Sequence, residues 1–173
     1  NFVKLVTQWN ISTISYDNDS SNFEKSYMQE WLNDTTVDGF LGNLRDYENF
    51  IVTNAEWNAS MMTDNSKPPS EIEGGTIITD AVGLLNRYEY ANSYRGTTDK
   101  NGYLNNALYS WLLTPYDYSS INSISASGSI VHPQKLGING IRPSINLISN
   151  VKIVSGKGTA DNPYRLKGDK DTS

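Results

Sequence analysis

The stretch Leu108-Tyr109-Ser110-Trp111-Leu112-Leu113-Thr114-Pro115, followed by Ile121-Asn122-Ser123-Ile124-Ser125-Ala126, Ser129-Ile130-Val131-His132 and Ile141-Arg142-Pro143-Ser144-Ile145-Asn146-Leu147-Ile148, decides the fold. Its apolar runs are short, mostly alternating, and separated by Pro115, Ser127-Gly128 and Asn139-Gly140. That pattern predicts strands joined by turns, so the C-terminal half reads as a β-meander. Residues 151–154 and 164–166 flank Gly156-Lys157-Gly158 as a closing, hairpin-like pair. Thr159 and Asn162 can satisfy their own backbone in the turn, and Pro163 presets the return.

Toward the N-terminus, residues 82–85 predict a buried strand, and Asn86 with Glu89 supplies a cap for a short helix ending before Gly96. Residues 97–106 are turn-rich. Residues 54–75, with Pro68-Pro69, read as a long surface excursion after the short apolar run 50–52. Residues 2–16 alternate, which argues strand, with Val3, Leu5, Trp9 and Ile11 expected to face inward. Residues 17–22 form a turn. Ser21 and Glu24 then have capping-box spacing before Phe23, Tyr27, Met28, Trp31 and Leu32, predicting a helix over 22–33.

A chain of 173 residues fits one core, here residues 1–166, with a polar tail over 167–173 expected to fray. Hydrophobic residues make up 37% and charged residues only 19%; the polarity comes from 20 Asn and 20 Ser against 7 Ala. The chain is too rich in aromatic and branched residues to be disordered. Its net charge of −5, with no Lys/Arg run, argues against a nucleic-acid partner. No apolar run is long enough for a membrane-crossing helix.

The chemistry-bearing residues are sparse. With no Cys and a single His, thiolate metal sites, thiol nucleophiles and multi-His metal sites are excluded. His132 reads as an edge-strand or loop-facing structural residue. Asp17 and Asp19 offer neighbouring oxygens for a cation, but the run lacks the Gly and distal Glu of an EF-hand loop, and a solvated turn leading into the helix N-terminus explains those acids more simply. The carboxylate pairs Asp46/Glu48 and Glu71/Glu73 lie in polar loops with nothing apolar to raise a pKa. Gly74-Gly75 lacks the Lys-Ser/Thr of a phosphate loop. Tyr116, Asp117 and Tyr118 form an aromatic and acidic loop tip suited to stacking on a sugar or packing on a protein, the alternative being tyrosines tucked under the loop. Trp31, Trp111 and Arg142 are expected to be structural, with Arg142 paired to a carboxylate.

Together, Trp31-Leu32-Asn33, the strand before Asn86, Ser110-Trp111-Leu112-Leu113-Thr114-Pro115, Ser127-Gly128-Ser129 and Gly140-Ile141-Arg142-Pro143-Ser144-Ile145 resemble an uncharacterised domain common in surface proteins of Firmicutes. In that family the corresponding strand ends in Arg-Ser-Pro, where Leu113 and Thr114 stand here. The same order is similar to formylglycine-generating-enzyme-like and C-type-lectin-like domains. The resemblance implies an α+β fold: an irregular small twisted antiparallel sheet with two helices and long loops. The formylglycine activity does not carry over, because it works through cysteines, and the lectin calcium motifs are absent. The segment 153–166 resembles one that closes secreted Gram-positive domains, including heads of pilin-like proteins.

The sequence therefore predicts a non-catalytic, extracellular cell-surface or pilus-like domain without a cofactor, acting in adhesion or filament assembly. Its partners would be other surface or pilus subunits, or a host or environmental glycan or protein. Membrane attachment would come only through an anchor preceding Asn1. The alternative is a hydrolase of cell-wall glycans whose loop carboxylates converge on folding.

Overall fold

The computed structural model describes residues 3–72, 74–94, 102–159 and 161–167. Phe2, Glu73, Gly96, the 97–101 part of the turn-rich stretch and the tail beyond residue 167 lie outside the described residues. The chain is mixed α+β. Its largest sheet has five strands: β2 (Ser12–Ser15), β9 (Ile138–Ile141), β6 (Ser110–Pro115), β7 (Ile121–Ile124) and β8 (Ile130–Val131), in that order. A three-stranded sheet sets β10 (Ser144–Leu147) between β1 (Val3–Val6) and β5 (Val82–Gly83). Two strand pairs, β3 (Ala55–Asn58) with β4 (Ile77–Asp80) and β11 (Lys152–Ser155) with β12 (Arg165–Lys167), complete the strands of the described residues.

The central strand is the run that decided the fold. All six residues of β6 are buried, because the strand is covered on both faces. Trp111 and Leu113 enter the main core with Tyr16, Phe23, Met28 and Leu32. Leu112 points to a second cluster with Leu85, Tyr90 and Ile124. β6, β7 and β8 follow one another antiparallel, as a meander should. The chain then departs from the prediction. β9 does not continue beside β8 but crosses to the far side of β6, where Ser110 and Gly140 pair in parallel, so the sheet is not wholly antiparallel.

Residues 141–148 are not one strand. Ile141 ends β9, and Arg142-Pro143 carries the chain into β10 of the other sheet, since proline lacks the N–H that a central ladder needs. Asn139-Gly140, expected to be a turn, lies inside β9. A Cβ on Gly140 would sit 1.8 Å from the Asn10 amide nitrogen, so the close approach of residue 10 requires glycine. The terminal pair forms as expected, with Gly156 and Gly158 supplying the positive φ of its turn.

The N-terminal alternation is real but its orientation is the reverse of that expected. β1 and β2 belong to different sheets, and the chain leaves extended pairing between them. Val3 and Trp9 are about 60% exposed, and Leu5 and Ile11 are also exposed. The inward positions are Val6, Ile14 and the fully buried Tyr16. Alternation fixes that two faces exist, not which of them meets the core.

The first helix begins later than Ser21. Asn22 caps a single 3-10 turn, Phe23–Lys25, and Ser26 then caps α1 (Tyr27–Asn33) by accepting from Gln29 N–H. The second capping box holds: Asn86 Oδ1 accepts from Glu89 N at 2.8 Å, and Glu89 Oε2 accepts from Asn86 N at 3.0 Å, opening α2 (Arg87–Ala91). The predicted excursion over 54–75 is shorter than expected, because Ala55-Glu56-Trp57-Asn58 pairs with β4 and buries Trp57. Trp57 Nε1 donates to Asp80 O at 2.9 Å. Among the described residues, no helix is long and apolar enough to cross a membrane.

Candidate functional site

The loop between β6 and β7 presents Tyr116, Asp117 and Tyr118, and its geometry follows from Asp117. That carboxylate accepts from Ser119 N (2.8 Å), Ser119 Oγ (3.0 Å) and Ser120 N (2.7 Å), a side-chain turn that fixes the backbone. The Ser119 and Ser120 bonds hold the Asp117 carboxyl below the usual carboxylate range. Tyr116 N and Asp117 N both donate to Ser120 O, closing the loop. Tyr118, at the tip, is 85% exposed. Tyr116 is half-buried and stacks on His132, with ring centroids 3.7 Å apart and planes 14° from parallel.

The loop is braced from two sides. Lys135 Nζ donates to Asp19 O at 2.7 Å and to Tyr118 O at 3.3 Å, and Lys135 N donates to Ser119 O. The two stretches that the sequence singles out separately, 17–19 and 116–118, therefore meet at one lysine. From beneath, Asn122, fully buried, donates to Met62 O, Thr114 O and Pro115 O and accepts from Arg87 Nη1 at 3.0 Å. Arg87 Nε donates to Asn65 Oδ1 at 2.7 Å.

The first acid of the Asp17/Asp19 pair is engaged by its own turn. Asp17 is buried; its Oδ2 accepts from Asp19 N and Ser20 N, and its Oδ1 from Tyr27 N. Burial pushes its carboxyl up, but the N–H bonds from Ser20, Asp19 and Tyr27 outweigh burial and hold it below the ordinary value. The positive charge at this turn is the Lys135 ammonium. Among the described residues, no group of three or more His, Asp or Glu is placed to hold a metal.

The reading of Arg142 is corrected. It is buried as expected, but its partners are carbonyls: Nε donates to Thr7 O at 3.0 Å and Nη1 to Leu104 O. The ion pairs among the described residues are Lys4–Glu89 and Arg45–Asp46. Trp111 is a core residue whose Nε1 donates to Ile14 O. Trp31 packs half-buried against Phe40 and donates to Asp38 O. Asp46 precedes, and Glu48 lies within, a 3-10 turn (Tyr47–Asn49) at the surface; Glu71 is exposed, and its pair with Glu73 lies outside the described residues.

Sequence reasoning left His132, Arg87 and Asn122 out of the site. They come from the end of β8, α2 and β7, and no local spacing links them. Burial, followed by the nearby Arg87 charge, pushes the His132 imidazole below its ordinary value, and the Asp117 carboxylate opposes this weakly. The fold therefore favours the neutral imidazole. A histidine held neutral in the fold adds stability that is complete above the unfolded value near 6.5 and is lost as pH falls through the lower folded value. We expect the thermal midpoint to drop as pH falls below 6.5, and His132→Phe to flatten that drop, as read by scanning fluorimetry. Because the chain has one histidine, its ring resonances titrate alone; a midpoint at or above 6.5 contradicts the geometry.

The carboxylates nearest this assembly are poised as acceptors. The Ser66 hydroxyl and N–H hold Asp64 low, as Ser119 and Ser120 hold Asp117. The assembly offers flat aromatic surface and hydrogen-bonding groups on a rigid loop. No family model, curated protein or solved structure matches the chain.

Proposed function

We propose that the protein is a non-catalytic surface domain that works in adhesion, binding a carbohydrate through the 116–118 loop. The observation that carries this reading is Tyr118, a large aromatic ring held in solvent on a loop whose backbone is fixed by Asp117 and Lys135. Exposed aromatic faces are suited to the apolar faces of sugar rings, and a fixed loop loses little entropy on binding. The Asn- and Ser-rich composition and the resemblance to Firmicutes surface domains support an extracellular, cell-surface setting. A C-type-lectin-like arrangement is part of the same proposal, supported by two short helices and long loops around a small sheet.

The test is a glycan array followed by titration of the best ligand. Tyr118→Ala should weaken binding at least ~10-fold, about 1.4 kcal/mol, without moving the thermal midpoint, because the ring has no packing role. Unchanged binding in that variant, or glycan hydrolysis by the purified protein, overturns the reading. Filament assembly is the second reading. It is favoured by the apolar side chains Ile153, Val154 and Tyr164, each more than half exposed on or beside the β11–β12 pair, and concentration-dependent oligomers in sedimentation that are lost on Val154→Lys would establish it.

A further inference from the structure

We infer that the cavity over Arg142 is a binding site for a small amphipathic carboxylate, separate from the 116–118 loop. Arg142 is only 6% exposed and stands where the chain leaves β9 for β10. A guanidinium drawn out of bulk water is favoured when its N–H groups find acceptors, best of all an anion. Two of its five N–H groups meet carbonyls, Thr7 O and Leu104 O, and the described residues supply no acceptor for the others. In a chain of net charge −5, carboxylates are plentiful, yet no described carboxylate pairs with this cation.

Arg142 lines a cavity of about 590 Å³, within the size range of small-molecule sites. One carboxylate, Glu89, also lines it, and both of its oxygens are committed: Oε1 to the Lys4 ammonium and Oε2 to the Asn86 N–H of the capping box. Lys4 and Glu89 cancel, so among the described lining residues Arg142 leaves one net positive charge. Leu85 and Leu104 provide apolar wall, and the amide residues Gln8 and Asn92 also line it. The complementary ligand has one carboxylate for the guanidinium fork, an apolar body for the leucines and an amide for Gln8 or Asn92. An N-acylated apolar amino acid has that chemistry.

The experiment uses N-acetyl-L-leucine as probe and uncharged N-acetyl-L-leucinamide as its control, titrated into the 15N-labelled protein. The expected result is saturable binding of the acid at ~1 mM or tighter, with shift changes centred on Leu104, Leu85 and Arg142, and at least tenfold weaker binding of the amide. Arg142→Lys keeps the charge but loses the fork and should weaken the acid at least tenfold. If that variant does not fold, Leu104→Trp, which fills the cavity from its wall, should abolish binding. No binding of the acid, equal binding of acid and amide, shifts centred elsewhere, or full affinity in the folded variant overturns the site. Tyr118→Ala should leave this binding unchanged, and a loss there would likewise overturn it.

Discussion

Replacing Trp111 with Ala is expected to lower the unfolding free energy by about 4 kcal/mol, read as a shift of the urea midpoint with the slope unchanged. Trp111 sits on the middle strand of the five-stranded sheet, almost wholly buried, with its ring edge-on to Tyr16 at 5.7 Å. Its Nε1 donates to Ile14 O across the sheet, and Tyr16 returns a bond from its hydroxyl to Leu113 O at 3.0 Å. Truncation removes the ring, opens a cavity between β6 and β2, and leaves the Ile14 carbonyl without its indole donor. Such a loss is a large share of the stability of a domain this size, about 5 to 15 kcal/mol. Trp111→Phe should cost about half as much, since it keeps most of the packing and forfeits the N–H. A change below about 1.5 kcal/mol in the alanine variant would mean that β6 is not the centre of the core.

That strand was legible in the sequence because Trp111-Leu112-Leu113 sets apolar side chains on both faces of an extended chain, and only a strand covered on both sides buries them all. The capping box at Asn86 and the turn at Gly156 were legible for a related reason: each is a local hydrogen-bond or backbone requirement met by residues close together in the chain. What the sequence hid was long-range. The inward set Val6, Ile14 and Tyr16 differs from the expected one because alternation carries no sign. The crossing of β9 to the far side of β6 leaves no local mark. The pairing of β3 with β4 spans about twenty residues of polar chain, so only Trp57 hinted at a buried strand there.

The site shows the same division. Tyr116, Asp117 and Tyr118 could be picked out because Pro-Tyr-Asp-Tyr is a loop sequence with large rings. Their bracing could not, because Lys135, His132, Asn122 and Arg87 arrive from separate segments. What the sequence did not show at Asp17 and Asp19 is that three backbone N–H groups bond the Asp17 carboxylate and that a lysine from residue 135 reaches the same turn. The expected ion pair at Arg142 is not formed with any described carboxylate; two of its N–H groups go instead to main-chain carbonyls, which any residue can present.

Asn122→Leu is expected to cost about 3 kcal/mol, out of proportion to the modest difference in volume between the two side chains. The amide is fully buried and connects three segments: it donates to Met62 O at 2.9 Å, Thr114 O at 3.0 Å and Pro115 O at 3.1 Å, and accepts from Arg87 Nη1. Leucine fills the space but supplies neither the two N–H hydrogens that these three carbonyls share nor the acceptor that the partly buried guanidinium uses, and Pro115 O keeps a strong second donor, Met62 N. The change also has a signature that simple destabilisation lacks. Arg87 is one cause of the low His132 value, and Asn122 helps to hold Arg87 in place. A freed Arg87 should let the His132 titration midpoint rise toward 6.5 in the folded variant. Urea denaturation reads the first effect and imidazole NMR the second. A stable variant with an unmoved His132 midpoint would show that the floor of the 116–118 loop is held by its strands alone, and not by this amide.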